Sequence, residues 1–368
     1  MSFAGPEDRS RKYAREKYAL YFINILLTVI FLCAYQCFLS AYFKNISYAV
    51  FNDYFLALFV YLIFFVICQY IVSLPLHFYA SFMLEHKYGL SNQSISDWIK
   101  DEIKKGMISM PFFIAMGMLF YALLRKSGGL WWIYLAVAWL LFSVVFARVM
   151  PTLIIPLFYK YSDISNQGLK NRIKKLAHKS RIKLEDIFKI DFSRKTKKAN
   201  AAVVGMGSSR RVLLTDTLLE NFTDGEIETV CAHEFGHHKM GHMKKMIASS
   251  CAVTAIGFFV LSAIMGHIRG FVGAGSIYDI VMFPSFLLFM HMYGLTVMPV
   301  SKWYSRMLER QSDKYALESI SDKNDFISLM RKLSKMNLSD EDPPKIIKYL
   351  FFDHPPIKER IKLARKRV

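Results

Sequence analysis

Cysteine is scarce in this chain, and acidic residues are outnumbered. The 368 residues include five cysteines, Cys33, Cys37, Cys68, Cys231 and Cys251, and four of these lie in apolar stretches. An odd count without a C-x-x-C pair excludes a disulfide framework and a cysteine-rich zinc site. Cys231 alone stands near candidate chemistry, and a small packing residue suits it better than a low-pKa nucleophile. Against 48 Lys and Arg there are only 29 Asp and Glu, a formal net charge of +19. No nucleic-acid motif accompanies that excess, so nucleic acid is not an expected partner. The charge reads instead as the cationic loops of a polytopic membrane protein. Internal repeats and low-complexity segments are also missing.

Long apolar runs are what the chain has in quantity. Hydrophobic residues make up 54% and charged residues 21% of the sequence, which suits a protein divided between lipid and water. Runs long enough to span a bilayer occur at 18–42, 54–83, 107–124, 130–150, 247–268 and 277–298. The basic lead formed by Arg9, Arg11, Lys12, Arg15 and Lys17 resembles a signal peptide. The run behind it is too long for an h-region and has no small-residue cleavage site, so it reads as a retained span. Pro75 and Pro151 mark expected kinks, tolerable where neighbouring helices satisfy the freed carbonyls.

Lys and Arg collect in the N-terminal lead, in 85–105, in 160–245 and beyond 302, whereas the loops around Lys44, Arg125 and Arg269 are poor in them. With six spans every rich segment falls on one side, so the long polar segments and both termini are expected in the cytoplasm. A bacterial inner membrane is the expected location, or the endoplasmic reticulum if the source is eukaryotic.

The segment 165–246 reads as a small α+β unit. Apolar residues at helical spacing predict a helix over 169–180, and strands are expected at 186–192, 201–205 and 212–215 around a turn at Gly207, Ser208 and Ser209. Asp224 is the expected N-cap of the next helix, with Glu226 and Glu228 in its first turn. The resulting division is 1–159 (four spans), 160–246 (first polar part), 247–298 (a transmembrane hairpin) and 299–368 (second polar part). The fold class is therefore a mainly α-helical polytopic membrane protein with about six transmembrane helices and a cytoplasmic α+β domain, which the H-E-x-x-H pattern at His233 to His237 makes a zincin-like metalloprotease domain.

That next helix carries His233, Glu234, Phe235, Gly236 and His237, an H-E-x-x-H pattern. Spacing of four places both imidazoles on one face, where they can share a Zn2+ ion, and Glu234 between them can take a proton from water. In the variant motif with a third histidine further along the same stretch, Met240 and Met243 occupy the Gly and His positions, so another ligand must come from elsewhere. His242 is one step short of that register and His238 points off the ligand face. Both read as polar residues near the membrane surface. After the last span, Glu309 and Asp313 share a helical face. They suit either a carboxylate ligand with a second carboxylate behind a ligand histidine, or the solvated face of a juxtamembrane helix. Near the C-terminus His354 precedes Pro355 and Pro356, which lock the backbone beyond it. His354 or Arg360 can donate to a developing oxyanion, and a structural histidine is the plainer reading.

Taken together these blocks resemble the integral-membrane CAAX prenyl proteases, a family of zinc metalloproteases with bacterial homologues. The similarity runs from about 81 to 360. It includes Glu85 to Gly89, 151–160, Ser193 to Ala201 through Arg194, Lys195 and Thr196, 216–219, the His233 block, Arg306 to Asp313, and His354 to Arg360. The resemblance implies His233, His237 and Glu309 as zinc ligands, with Asp313 behind them. It implies a substrate strand formed by Asn200, Ala201, Ala202, Val203, Val204 and Gly205, and His354 facing the scissile peptide with Arg360 nearby. It also implies cleavage beside a lipidated cysteine near a substrate's C-terminus, and helices that enclose a chamber in the membrane. Six spans instead of the seven of eukaryotic members, His238 where tryptophan is common, Ser312 where alanine is usual, and a compact stretch before the zinc helix point to a bacterial homologue.

The expected activity is a membrane-embedded zinc metalloendopeptidase with Glu234 as general base and His354 as a catalytic partner, one Zn2+ per chain, and a peptide or protein substrate, prenylated or not. Membrane lipid is its other partner, and the sequence leaves oligomeric state open. A quality-control protease of the heat-shock type is the alternative within the class. A catalytically silent transporter or receptor on the same scaffold is the alternative outside it.

Overall fold

A computed structural model describes residues 6–205, 207 and 209–366. Among the described residues six helices are long and apolar enough to cross a membrane. The first four are α1 (Arg9–Val50), α2 (Tyr54–Lys87), α3 (Ile95–Lys126) and α4 (Gly128–Phe158). They are followed by β1 (Tyr161–Asp163), α5 (Gln167–Lys179), β2 (Asp186–Ile190), β3 (Ala201–Val204) and β4 (Arg211–Thr215). After these come α6 (Asp216–Asn221), α7 (Asp224–Lys239), α8 (His242–Val272), α9 (Phe283–Ser319), α10 (Lys323–Asn337), α11 (Lys345–Phe351) and α12 (Ile357–Arg365).

The helices outrun the apolar segments that announce them, because their polar ends continue into the catalytic region. The clearest case is α9, where the last span and the carboxylate-bearing segment form one 37-residue rod with Pro299 inside it. The turn that carries Glu309 is thereby fixed rigidly to a membrane helix. Pro75 is followed by a π turn at Tyr79–Met83, and Pro151 lies within another at Met150–Ile154. Such turns absorb the hydrogen bonds that proline and its ring displace.

Many large side chains on the spans face outward: Leu26, Ile71, Leu141, Val145 and Phe259 are each more than half exposed. An apolar surface of that extent is stable against lipid and not against water. Inside the bundle Tyr61, Phe65, Trp131 and Phe283 form the core, next to an apolar cavity of about 430 Å³ bordered by Phe113, Trp139, Phe258 and Met290.

Outside the bundle a four-stranded sheet of order β1-β2-β4-β3 packs on α7. β1 pairs antiparallel with β2, β2 parallel with β4, and β3 antiparallel with β4. β1 is missing from the sequence-based assignment because three residues are too few to show alternation. The expected strand at 186–192 stops at Ile190, where Phe192–Arg194 turns as a 3-10 helix. Ser208 of the expected turn lies outside the described residues. Ile173, Leu214, Leu218, Ile227, Phe235 and Phe326, all buried, join the sheet, α5, α6, α7 and α10 in one core.

Candidate metal centre

The helix α7 begins on Thr223, one residue before the expected N-cap Asp224. The Thr223 hydroxyl accepts from the Glu226 N–H while the Glu226 carboxylate accepts from the Thr223 N–H at 2.8 Å, a capping box. Two orphan donors are satisfied together, which Asp224 alone cannot achieve, and its carboxylate instead accepts from Asn166 Nδ2 at 3.2 Å. Two turns on, α7 runs buried between the sheet and α9. Gly236 permits the approach: a Cβ there would lie 3.1 Å from Tyr315 Cδ1 and 3.2 Å from Ser312 Cα.

This close contact brings Glu309 of α9 to the two motif histidines. His233 Nε2 and His237 Nε2 are 3.1 Å apart, and each is 3.2 Å from one oxygen of the Glu309 carboxylate. The three side chains offer ligand atoms within 4.8 Å of one another. Asp313, four residues along α9, accepts from His233 Nδ1–H at 2.9 Å. That bond leaves the His233 Nε2 with a lone pair aimed at a carboxylate. Glu309 Oε2 is itself buried with no hydrogen-bond partner. Lone pairs and a carboxylate facing one another require a cation between them, and a two-imidazole, one-carboxylate donor set fits a divalent metal ion. The electrostatics agree. Burial pulls the His233 imidazole down, but Asp313 and Glu309 outweigh it and push it up to about 9, so this point favours positive charge.

Glu234 lies on the neighbouring face of α7. Burial pushes its carboxyl up, and His233, His237 and the Val203 backbone act in the opposite direction. His354 reaches the same centre, with Nε2 3.3 Å from Glu309 Oε2 while 59% of its side chain remains exposed. Arg360 is placed differently. It is buried and donates to both oxygens of Asp313, at 2.9 and 2.5 Å, so it stands behind His233 through Asp313.

β3 is an edge strand beside α7. The Thr215 N–H donates to Asn200 O at 3.2 Å, and alternation along the ladder turns the backbone groups of Ala201 and Val203 away from β4. Asn200 Oδ1 accepts from the Ala201 N–H at 2.9 Å, and His238 Nε2 donates to the Val203 carbonyl at 3.1 Å. Ala202 and Val204 bond inward, and Gly205 ends the strand.

Two residues that the sequence assigned to the membrane surface therefore sit at the centre: His238 on the strand edge, and His242, whose Nδ1 is 3.1 Å from His237 Nδ1. The helical register from His237 hides His242, because Gly241 interrupts the helix with a φ of +68° and folds α8 back over the site. A glycine just before a histidine was the only signal of that break.

Peptidase family M48 matches residues 163–368, the stretch that contains every group just described. The chain belongs to peptidase family M48. Residues 7–160 match a second family described as "CAAX prenyl protease N-terminal, five membrane helices", and this stretch holds four candidate spans among the described residues. The M48 chain is 30% identical over 309 residues to the uncharacterized metalloprotease YhfN of Bacillus subtilis, covering 80% of this chain and 70% of that one. It is 29% identical over 314 residues to CAAX prenyl protease 1 of Saccharomyces cerevisiae, with 79% and 68% covered. The crystal structure of S. mikatae Ste24p has the same fold, with a TM-score of 0.86, 24% identity, and 98% of this chain and 89% of that one covered. The M48 chain is thus a multi-pass integral-membrane metalloendopeptidase that acts on peptides or proteins.

Proposed function

We propose that His233, His237 and Glu309 hold one zinc ion, that Glu234 is the general base, and that the substrate is a peptide with a lipidated cysteine near its C-terminus. The convergence of two imidazole nitrogens and one carboxylate on a single point carries this reading. Three protein ligands with a further position open is the arrangement of catalytic zinc, and when bound the ion supplies Lewis acidity at the scissile carbonyl and to the attacking water.

The chain's own groups do the remaining work. A peptide joins the outer edge of β3 through Ala201 and Val203, and its backbone N–H takes over the Val203 carbonyl from His238. Glu234 takes the proton of the attacking water and delivers it to the leaving amine. His354, fixed by the two prolines that follow it, donates toward the oxygen on which negative charge develops. Asp313 and Arg360 hold His233 from behind. The name of the yeast relative and the match to the prenyl-protease N-terminal region support a lipidated substrate. The lysine and arginine distribution supports catalysis on the cytoplasmic side of the membrane.

The test is cleavage of a farnesylated peptide and its unlipidated twin by detergent-purified protein, with bound metal measured alongside. About one zinc per chain, cleavage of the farnesylated peptide alone, and a Glu234→Gln variant that keeps its metal but loses about 10²-fold or more in turnover are expected. Equal cleavage of both peptides overturns the lipid requirement. A fully active Glu234→Gln variant overturns the base, and absence of zinc after metal-replete purification overturns the centre.

A further inference from the structure

His242 and Gln311 have no part in the reaction as derived above, yet they meet at the back of one ligand. His242 is fully buried, at 0% exposure, although it opens a helix next to the catalytic region. Its Nδ1 lies 3.1 Å from His237 Nδ1 and 3.4 Å from the hydroxyl of Ser312, and its Nε2 lies 3.1 Å from Gln311 Oε1. Gln311 stands two residues beyond Glu309 on α9, so one helix delivers both a ligand and the far end of this chain of contacts.

Rested on the reading of His237 as a ligand, we propose that Gln311 and His242 form a hydrogen-bond relay that fixes the tautomer and orientation of His237. The amide oxygen of Gln311 can only accept, so His242 Nε2 carries the proton of a neutral ring and His242 Nδ1 carries a lone pair. That lone pair accepts from His237 Nδ1–H, and the Ser312 hydroxyl, which can also donate, is compatible with the same assignment. His237 Nε2 then presents its lone pair to the point shared with His233 and Glu309. The reversed relay, with the Gln311 amide group donating, would put a proton on His237 Nε2 and abolish the ligand. Only one direction of the relay is compatible with a metal centre.

The two histidines are thus supported unequally. His233 is backed by the carboxylate of Asp313, which is itself paired with Arg360, whereas His237 is backed by a neutral histidine and an amide. A carboxylate behind an imidazole raises its basicity, and a neutral acceptor does so less. His242 and Gln311 are therefore positioning residues: they touch neither peptide nor metal and act through His237.

The experiment is zinc affinity by chelator competition, and the visible spectrum of the cobalt-substituted protein, for the full-length chain in detergent. Variants are Gln311→Leu, Gln311→Glu, His242→Phe, the Gln311→Leu/His242→Phe pair, and His237→Ala. Gln311→Leu is expected to weaken zinc about 10- to 100-fold and to shift the spectrum of the cobalt-saturated protein, a signature that a loss of stability alone does not produce. Gln311→Glu, which keeps an acceptor at the same place, should restore affinity. The double variant should be no weaker than His242→Phe alone, because one relay is broken only once. Should His242→Phe fail to fold, Gln311→Leu and Gln311→Glu decide the question by themselves. Wild-type affinity and spectrum in Gln311→Leu overturn the relay, as does a loss that Gln311→Glu fails to restore. If His237→Ala keeps wild-type affinity, the ligand assignment itself falls and the relay with it. If His237→Ala loses zinc while Gln311→Leu does not, only the relay falls.

Discussion

Arg306 Nη1 donates to the carbonyl oxygen of Phe352 at 2.7 Å and to that of Lys348 at 2.9 Å. The guanidinium sits on α9 one turn before Glu309, and Phe352 lies two residues before His354. With 1% exposure, Arg306 joins the helix that carries Glu309 to the loop that carries His354. The Lys348 carbonyl also accepts from the Phe352 N–H at 3.3 Å, and Phe352 stands just past the end of α11, where the helix leaves carbonyls open to outside donors.

Replacing Arg306 by Leu removes two charge-assisted hydrogen bonds between α9 and the end of α11, at a cost of about 1.5–3 kcal/mol. The loop then carries His354 out of register. A fall in kcat of about 10- to 100-fold with bound metal unchanged is expected. Steady-state kinetics with metal analysis checks it, and an unaltered kcat would show that the loop is held by other contacts.

Asp313→Asn tests the support behind His233. The carboxylate accepts from His233 Nδ1–H and pairs with both nitrogens of Arg360. An amide leaves the buried guanidinium uncompensated and lets an N–H face the imidazole. Zinc affinity should fall about 10- to 100-fold, read by chelator competition.

Gly236→Ala probes the contact between α7 and α9. Alanine favours a helix by about 1 kcal/mol over glycine. Its Cβ, however, would press on the Ser312 backbone at 3.2 Å and on the Tyr315 ring at 3.1 Å. Overpacking against backbone costs about 1–3 kcal/mol, so the clash outweighs the propensity. Reduced thermal stability and weaker metal binding are expected together, since Glu309 lies on the displaced helix. A melting curve at or above wild type contradicts this.

Glu226 predicts a pH dependence away from the metal. Burial raises its carboxyl, but Lys332 at 2.7 Å, Ser328 and the Thr223 N–H outweigh this and hold it below the usual glutamate range. A group whose folded pKa is depressed stabilises the fold above its unfolded value, about 4.3, and that contribution disappears as pH falls through the folded value. Melting temperature should therefore drop with acidification below about pH 4. Glu226→Gln should flatten this slope, and a slope equal to wild type would assign the acid sensitivity to other carboxylates.

Much of the architecture is local and therefore legible in the chain. The apolar runs at 18–42 and 54–83 announce α1 and α2 because a bilayer demands a fixed length of hydrocarbon-compatible helix. The register of His233 and His237 follows from 3.6 residues per turn, which puts positions four apart on one face whatever surrounds them. Resemblance to a family added Glu309, Asp313 and His354, whose spacing alone left a solvated helix face and a structural loop as open readings.

Other features arise only when distant segments meet. Arg360 pairs with Asp313, 47 residues away in the sequence, because α12 packs beside α9. His238 and His242 become site residues because β3 comes to rest against α7 and because Gly241, in the left-handed region, breaks the helix before His242. The sequence by itself determined which segments enter the membrane and which helix face carries the paired imidazoles, since both depend on composition and periodicity within a few turns. Only the tertiary structure decided which carboxylate completes the centre and what stands behind each imidazole. Hydrogen bonds between residues as far apart as His242 and Gln311 depend on the packing of whole helices, and no local pattern records that packing.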